Sequence, residues 1–347
     1  MAFSFTAPTA AYRSKIRAME QLESGFMATL SRYGLVLASG EDAVTFIHGQ
    51  LGNDIAGLKT DEARLAGYCM PDGRLLAIML VWKSEHGVWL MIPRDILPAF
   101  MKRLQIYILR AKVRLTDMSD EWAITGFAGA KATDALAQAL MALPAPTGIY
   151  GKTESASGML IRISDAFGGA RFLWIAPSDV ASSALPALSR VLPVAAHEDN
   201  WELGDIAAGI PEIYTATQSR FVPQMVNMDL VDGMSFTKGC YPGQEIIARL
   251  KYRGTLKRRM IPACADIPGE SPASAIGITP GMDIFDASAP DAPCGMLVRA
   301  ARRDSGHIDC LMVMPLEMRS AKSLRLGTPD GPKLHIGSLP YTIPDES

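Results

Sequence analysis

Residues 235–259 read SFTKGCYPGQEIIARLKYRGTLKRR, the most specific stretch of the chain. Tyr241-Pro242-Gly243-Gln244 suits a type II turn, with proline second and glycine, which accepts positive φ, third. Gln244 and Glu245 then open a helix with Ile246, Ile247 and Leu250 on its apolar face, and Glu245 stands at i,i+4 spacing to Arg249. Cys240 therefore falls in a glycine-flanked bend just ahead of a helix N-terminus. Amide dipoles there favour an anion and Lys238 lies two residues away, so the pattern predicts a thiol biased toward thiolate. Gly239 gives a ligand close access to the backbone. A lone cysteine is more often a small buried residue in a tight turn. Here two glycines, a lysine and a Gln-Glu pair crowd around it between Lys238 and Glu245, which favours function. The basic run Arg249, Lys251, Arg253, Lys257, Arg258 and Arg259, with Tyr252 interleaved, fits an RNA phosphate contact, a cradle for a carboxylate-bearing ligand, or a solvated face.

Outward from this stretch, Pro211 to Phe236 is irregular and carries Gln224, Asn227, Asp229 and Asp232; loops of that length are usually functional or disordered. Trp201 to Gly209 predicts a short helix ending at glycine. Further upstream, Ser39 can cap a helix from Glu41 to His48. Strands are expected over Arg64–Met70 and Arg74–Trp82, joined at Pro71-Asp72-Gly73, a hairpin signal. Gly87–Ile92, Lys112–Thr116, Trp122–Phe127, Met159–Ile163 and Arg171–Ala176 read as strands. Tyr12–Phe26, Arg94–Ile106, Ala130–Met141 and Pro177–Val191 read as helices. After Arg259, proline and glycine become frequent and strands short, as at Met282–Phe285, Cys294–Ala301, His307–Met314 and Leu334–Ser338. This is the pattern of a small β-barrel. Hairpin-joined strands mixed with helices give an α+β class rather than a doubly wound sheet.

The chain of 347 residues carries 34 basic and 36 acidic side chains, a net charge of −2. That balance speaks against a direct nucleic-acid partner, and no apolar run reaches the ~18 residues of a membrane span. Cysteines 69, 240, 264, 294 and 310 are odd in number with no CxxC spacing, which fits a reducing compartment and no disulfide framework. No HExxH or His/Cys cluster occurs, so no stably bound metal is expected. A cytoplasmic location follows; Arg13, Lys15 and Arg17 in an acid-free N-terminus leave the mitochondrial matrix as an alternative.

KGCYPGQE with its basic YRG-KRR tail resembles the YgfZ family, bacterial folate-binding relatives of the glycine-cleavage T-protein. The resemblance extends to Phe46 through Asp54, similar to the family's F-x-x-G-Q-x-T-N-D with Gly52 in place of threonine. It includes Asp72-Gly73-Arg74-Leu75-Leu76-Ala77, Leu109-Arg110-Ala111-Lys112-Val113, Gly209-Ile210-Pro211-Glu212 and Phe221 to Met225. It covers about residues 30 to 260. It implies a T-protein-like ring of three domains around a central hole that holds tetrahydrofolate or a derivative. Residues 1–255 would form two intertwined α+β subdomains, one at approximately 50–120, and 256–347 the barrel. It also implies a role in iron–sulphur cluster assembly or maintenance, which the family's mitochondrial members serve, and in cluster-dependent tRNA modification. The partners would be assembly proteins or cluster-dependent enzymes. Cys240 is then the key residue with Lys238 beside it, and Gly239, Tyr241 and Gly243 build its turn. Asn53, Asp54, Gln224, Asn227, Gln244 and Glu245 are the folate-binding candidates, with Arg253 toward the glutamate tail.

Two rival readings stay open. A true aminomethyltransferase of this kind uses an aspartate just after the glycine hairpin. Here Leu75-Leu76-Ala77-Ile78-Met79 carries no acid, and Asp72 suits a turn-starting role. The other is a folate-loaded scaffold without chemistry, so whether the chain is an enzyme is undecided by its residues.

Overall fold

The computed structural model describes residues 22–139, 143–195, 197–254 and 256–344. The chain enters one sheet with β1 (Phe26–Thr29) and leaves it at once for a second. The second is built from β2 (Tyr33–Ser39), helix α1 (Ala43–Gln50), β3 (Ala63–Cys69), β4 (Leu75–Ser84), β5 (Gly87–Pro93), α2 (Leu97–Tyr107) and β6 (Arg114–Asp117). The chain then returns to the first sheet with β7 (Trp122–Ala128), α3 (Ala132–Ala139), β8 (Lys152–Ser155), β9 (Gly158–Ala166), β10 (Gly169–Pro177) and α4 (Ser178–Leu188). Helix α5 (Asp199–Ala207), an irregular segment and helix α6 (Gln244–Arg253) lead to a third sheet. That sheet holds β11 (Arg258–Asp266), β12 (Asp283–Asp286), β13 (Gly295–Asp304), β14 (His307–Pro315), β15 (Leu324–Leu326) and β16 (Leu334–Ile336). The strand orders are β1-β7-β10-β9-β8, β3-β4-β5-β2-β6 and β15-β12-β13-β14-β11-β16, with antiparallel pairing throughout.

The centre of the molecule follows from strand periodicity. In β4, Ala77, Met79 and Val81 pack against α1 and α2, while Ile78, Leu80 and Trp82 turn the opposite way into a core shared by all three sheets. The strand reads as one apolar run because both of its faces are buried. Strand β10 repeats the arrangement, with Phe172 and Trp174 toward α3 and α4 and Leu173 and Ile175 toward the common core. In the third sheet, Leu311 and Val313 of β14 face that core and Cys310, Met312 and Met314 fill the barrel-like interior. Each sheet thus gives one face to its own domain and one to the junction.

Several local expectations need correction. Ser39 does not cap a helix: it ends β2, and α1 begins only at Ala43 because Gly40 (φ +114°) turns the chain between them. Strands β1, β2, β8, β11 and β15 were not expected. In β11, Pro262 reads as a breaker, yet it lies just before the β16 pairing begins at Ala263, where no ladder donor is needed. Of the helix expected over Tyr12–Phe26, residues 12–21 lie outside the described residues, residues 22–24 are helical, and Phe26 opens β1. Among the described residues no helix is long and apolar enough to cross a membrane.

Candidate functional site

Where the three sheets meet lies a slot lined by Leu65, Ile78 and Met91 of the second sheet, Ile163 and Leu173 of the first, Trp201 of α5 and Arg299 of β13. Its cavity volume is about 60 Å³, so it is narrow. One end is ionic. Arg32, Arg171 and Arg299 face Glu202, Asp205 and Glu212. Arg299 Nη2 donates to Glu202 Oε2 at 2.8 Å and to Asp205 Oδ2 at 2.9 Å, and Arg171 Nη2 lies 2.9 Å from Asp205 Oδ1. Arg32 donates to Glu212 and, at 2.7 Å, to the Tyr214 hydroxyl. Burial pushes the Asp205 carboxyl up, but the Arg299 and Arg171 guanidiniums outweigh it and hold it below the usual range. Burial drives the Tyr33 and Tyr214 phenols well above theirs.

Arg171 is fully buried, stacks 5.1 Å from the Trp201 ring centroid, and its Nη1 has no acceptor among the described residues. An orphan cationic donor is costly inside a protein. Sequence reasoning missed this network. The signals were Arg171 and Arg299, each flanked by apolar residues in its strand, and Glu202 and Asp205 at i,i+3 on a short helix.

Tyr150 lines both this slot and an open groove of about 1040 Å³. The groove carries Asp54, Asp61, Glu62 and Asp232 against Arg64 and Lys152, and its rim runs from Asp232 to Thr237. Three residues beyond that rim, Cys240 is exposed. Its turn has the expected form: Gly243 adopts φ 84° and ψ −1°, and the Gln244 amide donates to the Tyr241 carbonyl at 3.2 Å. A Cβ on Gly243 would stand 2.5 Å from the Met70 carbonyl and 2.7 Å from Gly73 Cα, so the β3–β4 hairpin packs directly on the cysteine turn. Tyr241 is buried in the common core, whereas Gly239 has nothing within 4 Å of a Cβ position.

Lys238 bridges the turn and helix α1. Its Nζ donates to the His48 carbonyl and, at 2.7 Å, to Leu51 O, closing the C-terminus of α1. It also sits 5.0 Å from the Tyr241 ring centroid. Desolvation lowers its pKa to about 8, against the opposing pull of Asp54 and Cys240.

The structure separates the remaining candidates. Asn53 lines the groove but is committed: Nδ2 donates to Leu65 O at 2.7 Å and Asp232 O at 2.6 Å, tying the cysteine-bearing segment to β3. Asp54 also lines the groove and accepts from the Gly57 amide at 3.0 Å, which holds its pKa low. Gln224 and Asn227 are buried away from both spaces, bonded to Ile247 O and Met260 O, each at 2.8 Å. Gln244 reaches back to Lys238 O at 3.4 Å. Glu245, paired with Arg249 at 3.2 Å, and Arg253 are exposed on α6 and line neither space. Among the described residues no group of three or more His, Cys, Asp or Glu could hold a metal ion.

Comparison with known proteins adds the following. No family model matches the chain. "tRNA-modifying protein YgfZ" of Yersinia pseudotuberculosis serotype O:1b is 31% identical over 236 residues, 67% of this chain and 69% of that protein. The proteins of the same name from Klebsiella pneumoniae strain 342 and Vibrio vulnificus strain CMCP6 are 29% and 27% identical, each over 92% of this chain and 94% and 93% of their own lengths. The crystal structure of the glycine cleavage system aminomethyltransferase T from Bartonella henselae superposes with a TM-score of 0.74 at 16% identity, covering 94% of this chain and 89% of that one. That likeness shows the fold: a T-protein-like α+β arrangement of three domains.

Proposed function

The chain belongs to the YgfZ family, and from that premise we propose that it binds tetrahydrofolate in the central slot and supports iron–sulphur-dependent tRNA modification through Cys240. The observation that carries the reading is a slot walled by aliphatic side chains and Trp201 whose lining includes the buried Arg171, with no acceptor for its Nη1 among the described residues. A pterin ring is flat, with apolar faces and acceptor atoms on its edge, and an edge acceptor would satisfy that nitrogen. When bound, the folate would supply a carrier for a one-carbon unit. Ile78, Leu80 and Leu173 would exclude water from its faces, and the three-against-three charge network would keep the slot's wall rigid.

Cys240 is exposed beyond the groove rim and is not part of the slot's wall, which favours a thiol that meets a macromolecular partner over one that attacks the pterin. The aminomethyltransferase reading is weaker. The β4 residues that line the slot are Ile78, Met79 and Leu80, with no acid, and the nearby carboxylates are ion-paired.

The test is complementation of a bacterial strain lacking its own YgfZ protein, scored by cluster-dependent tRNA modification. Cys240→Ser is expected to fail while binding tetrahydrofolate like the parent. Full complementation by the variant would reduce the protein to a scaffold.

A further inference from the structure

A third cleft, of about 530 Å³, opens between the β3–β4 hairpin and the third sheet. Arg74, Arg220 and Arg258 line it above Phe221 and Met225, with Asp283 the one acid among its lining residues. Helix α6 joins this cleft at both ends. Its first turn packs on Gly73, where a Cβ would lie 3.1 Å from Ile246 Cβ, and its last turn leads through Gly254 into β11, which Arg258 opens. Along this path Lys251, Arg253, Lys257 and Arg258 are all exposed. Among the described residues, no carboxylate forms a salt bridge with Arg220, Arg253, Lys257 or Arg258. Tyr252 is 68% exposed, the Phe236 ring stands 6.4 Å from it, and the Lys251 ammonium lies 5.2 Å over that ring.

We propose that this face binds the phosphate backbone of RNA, with Arg220 and Arg258 of the cleft and Arg253 of α6 seating phosphates and Tyr252 presenting a ring for base stacking. The inference rests on the reading that the protein works in tRNA modification. The net charge of −2 is no obstacle, because the cleft sets three arginines against Asp283 alone, and the acid-rich groove meets this face only at Phe236, beside Tyr252 and Lys251. Arg74 is held by the Ser219 and Arg220 carbonyls and lies 3.8 Å from Asp72, so the guanidiniums open to phosphate are those of Arg220, Arg253 and Arg258, whose planar donors match phosphate geometry. An acidic protein surface would need apolar complementarity, which here is limited to Tyr252 and the cleft floor.

The experiment is fluorescence anisotropy of a labelled, unmodified tRNA transcript with the full chain, between 50 and 200 mM salt. Three phosphate contacts imply a log–log salt slope of about −2 to −3. The triple variant Arg220→Gln, Arg253→Gln, Arg258→Gln is expected to bind at least about 100-fold more weakly, with the slope flattened by about 2 to 3. Lys102→Gln with Arg110→Gln, exposed cations on and just after α2, is expected to leave binding unchanged. Absence of wild-type binding, an equal loss in the α2 control pair, or equally tight binding of duplex DNA or polyglutamate would overturn the proposal. Tetrahydrofolate titrations of the same proteins separate the two claims. RNA binding can fail with folate binding intact, which sinks this inference alone, and the converse sinks the folate reading alone.

Discussion

Replacing Arg299 by methionine probes the junction that holds the three domains together. Arg299 is 1% exposed, comes from the third sheet, and contacts Glu202 and Asp205 of α5 and the Ile210 carbonyl. The substitution leaves three buried carboxylates facing two guanidiniums, Arg32 and Arg171. Removing one partner of a buried ion network costs about 3–5 kcal/mol, because a charge is left uncompensated in low dielectric. Restoring the balance with Glu202→Gln in the same chain should recover about 2 kcal/mol or more, since replacing both partners is often nearly neutral.

The pH dependence also changes sign. In the wild type Asp205 is held below its usual value, so its contribution is present above the unfolded carboxylate pKa and lost as pH falls through the lower folded value. In Arg299→Met a stranded carboxylate has its folded pKa raised, so the deficit shrinks as pH falls toward about 4. Urea unfolding followed by circular dichroism at pH 7.5, pH 5 and pH 3 reads both effects. A loss under about 1 kcal/mol at pH 7.5, or no recovery in the double variant, would refute the idea of a dry, balanced network.

Other outcomes follow from the cysteine turn. Cys240 should be the one thiol alkylated within minutes in the native protein, with Cys69 and Cys310 protected until unfolding; rapid labelling of either would contradict their burial. Lys238, held near 8, should show acetylation with a midpoint near pH 8. Because its folded pKa is depressed, its contribution to stability rises between about pH 8 and its unfolded value near 10.4; an acetylation midpoint near 10.4 would deny the desolvation. Gly243→Ala should cost about 2 kcal/mol or more, since φ 84° and a 2.5 Å approach to Met70 O both oppose a side chain. A melting temperature unchanged by that substitution would show that the hairpin yields.

The fold was legible where one periodicity ruled. The β4 run and the Pro71-Asp72-Gly73 hairpin announced the second sheet, and Pro242-Gly243 announced the turn before α6. Strand β11 hid because Pro262 looks like a stop signal, and β1 and β15 are too short, at 4 and 3 residues, to display alternation. At the site, the exposed cysteine turn was readable because its chemistry is local. The slot was not, since Arg32, Arg171, Glu202 and Arg299 come from four distant segments and meet only through topology. Lys238 was read as a neighbour of the thiol, and Cys240 does act on its charge, but the direct bonds of its ammonium go to the carbonyls of α1, which spacing alone did not reveal.

Calorimetric titration of the full chain with tetrahydrofolate, alongside Ser164→Phe in the slot wall, bears most directly on the central claim. A one-to-one complex that weakens at least about tenfold in Ser164→Phe and is unchanged in Cys240→Ser is the expected result. No binding by the wild type, or binding indifferent to a filled slot, would contradict the account.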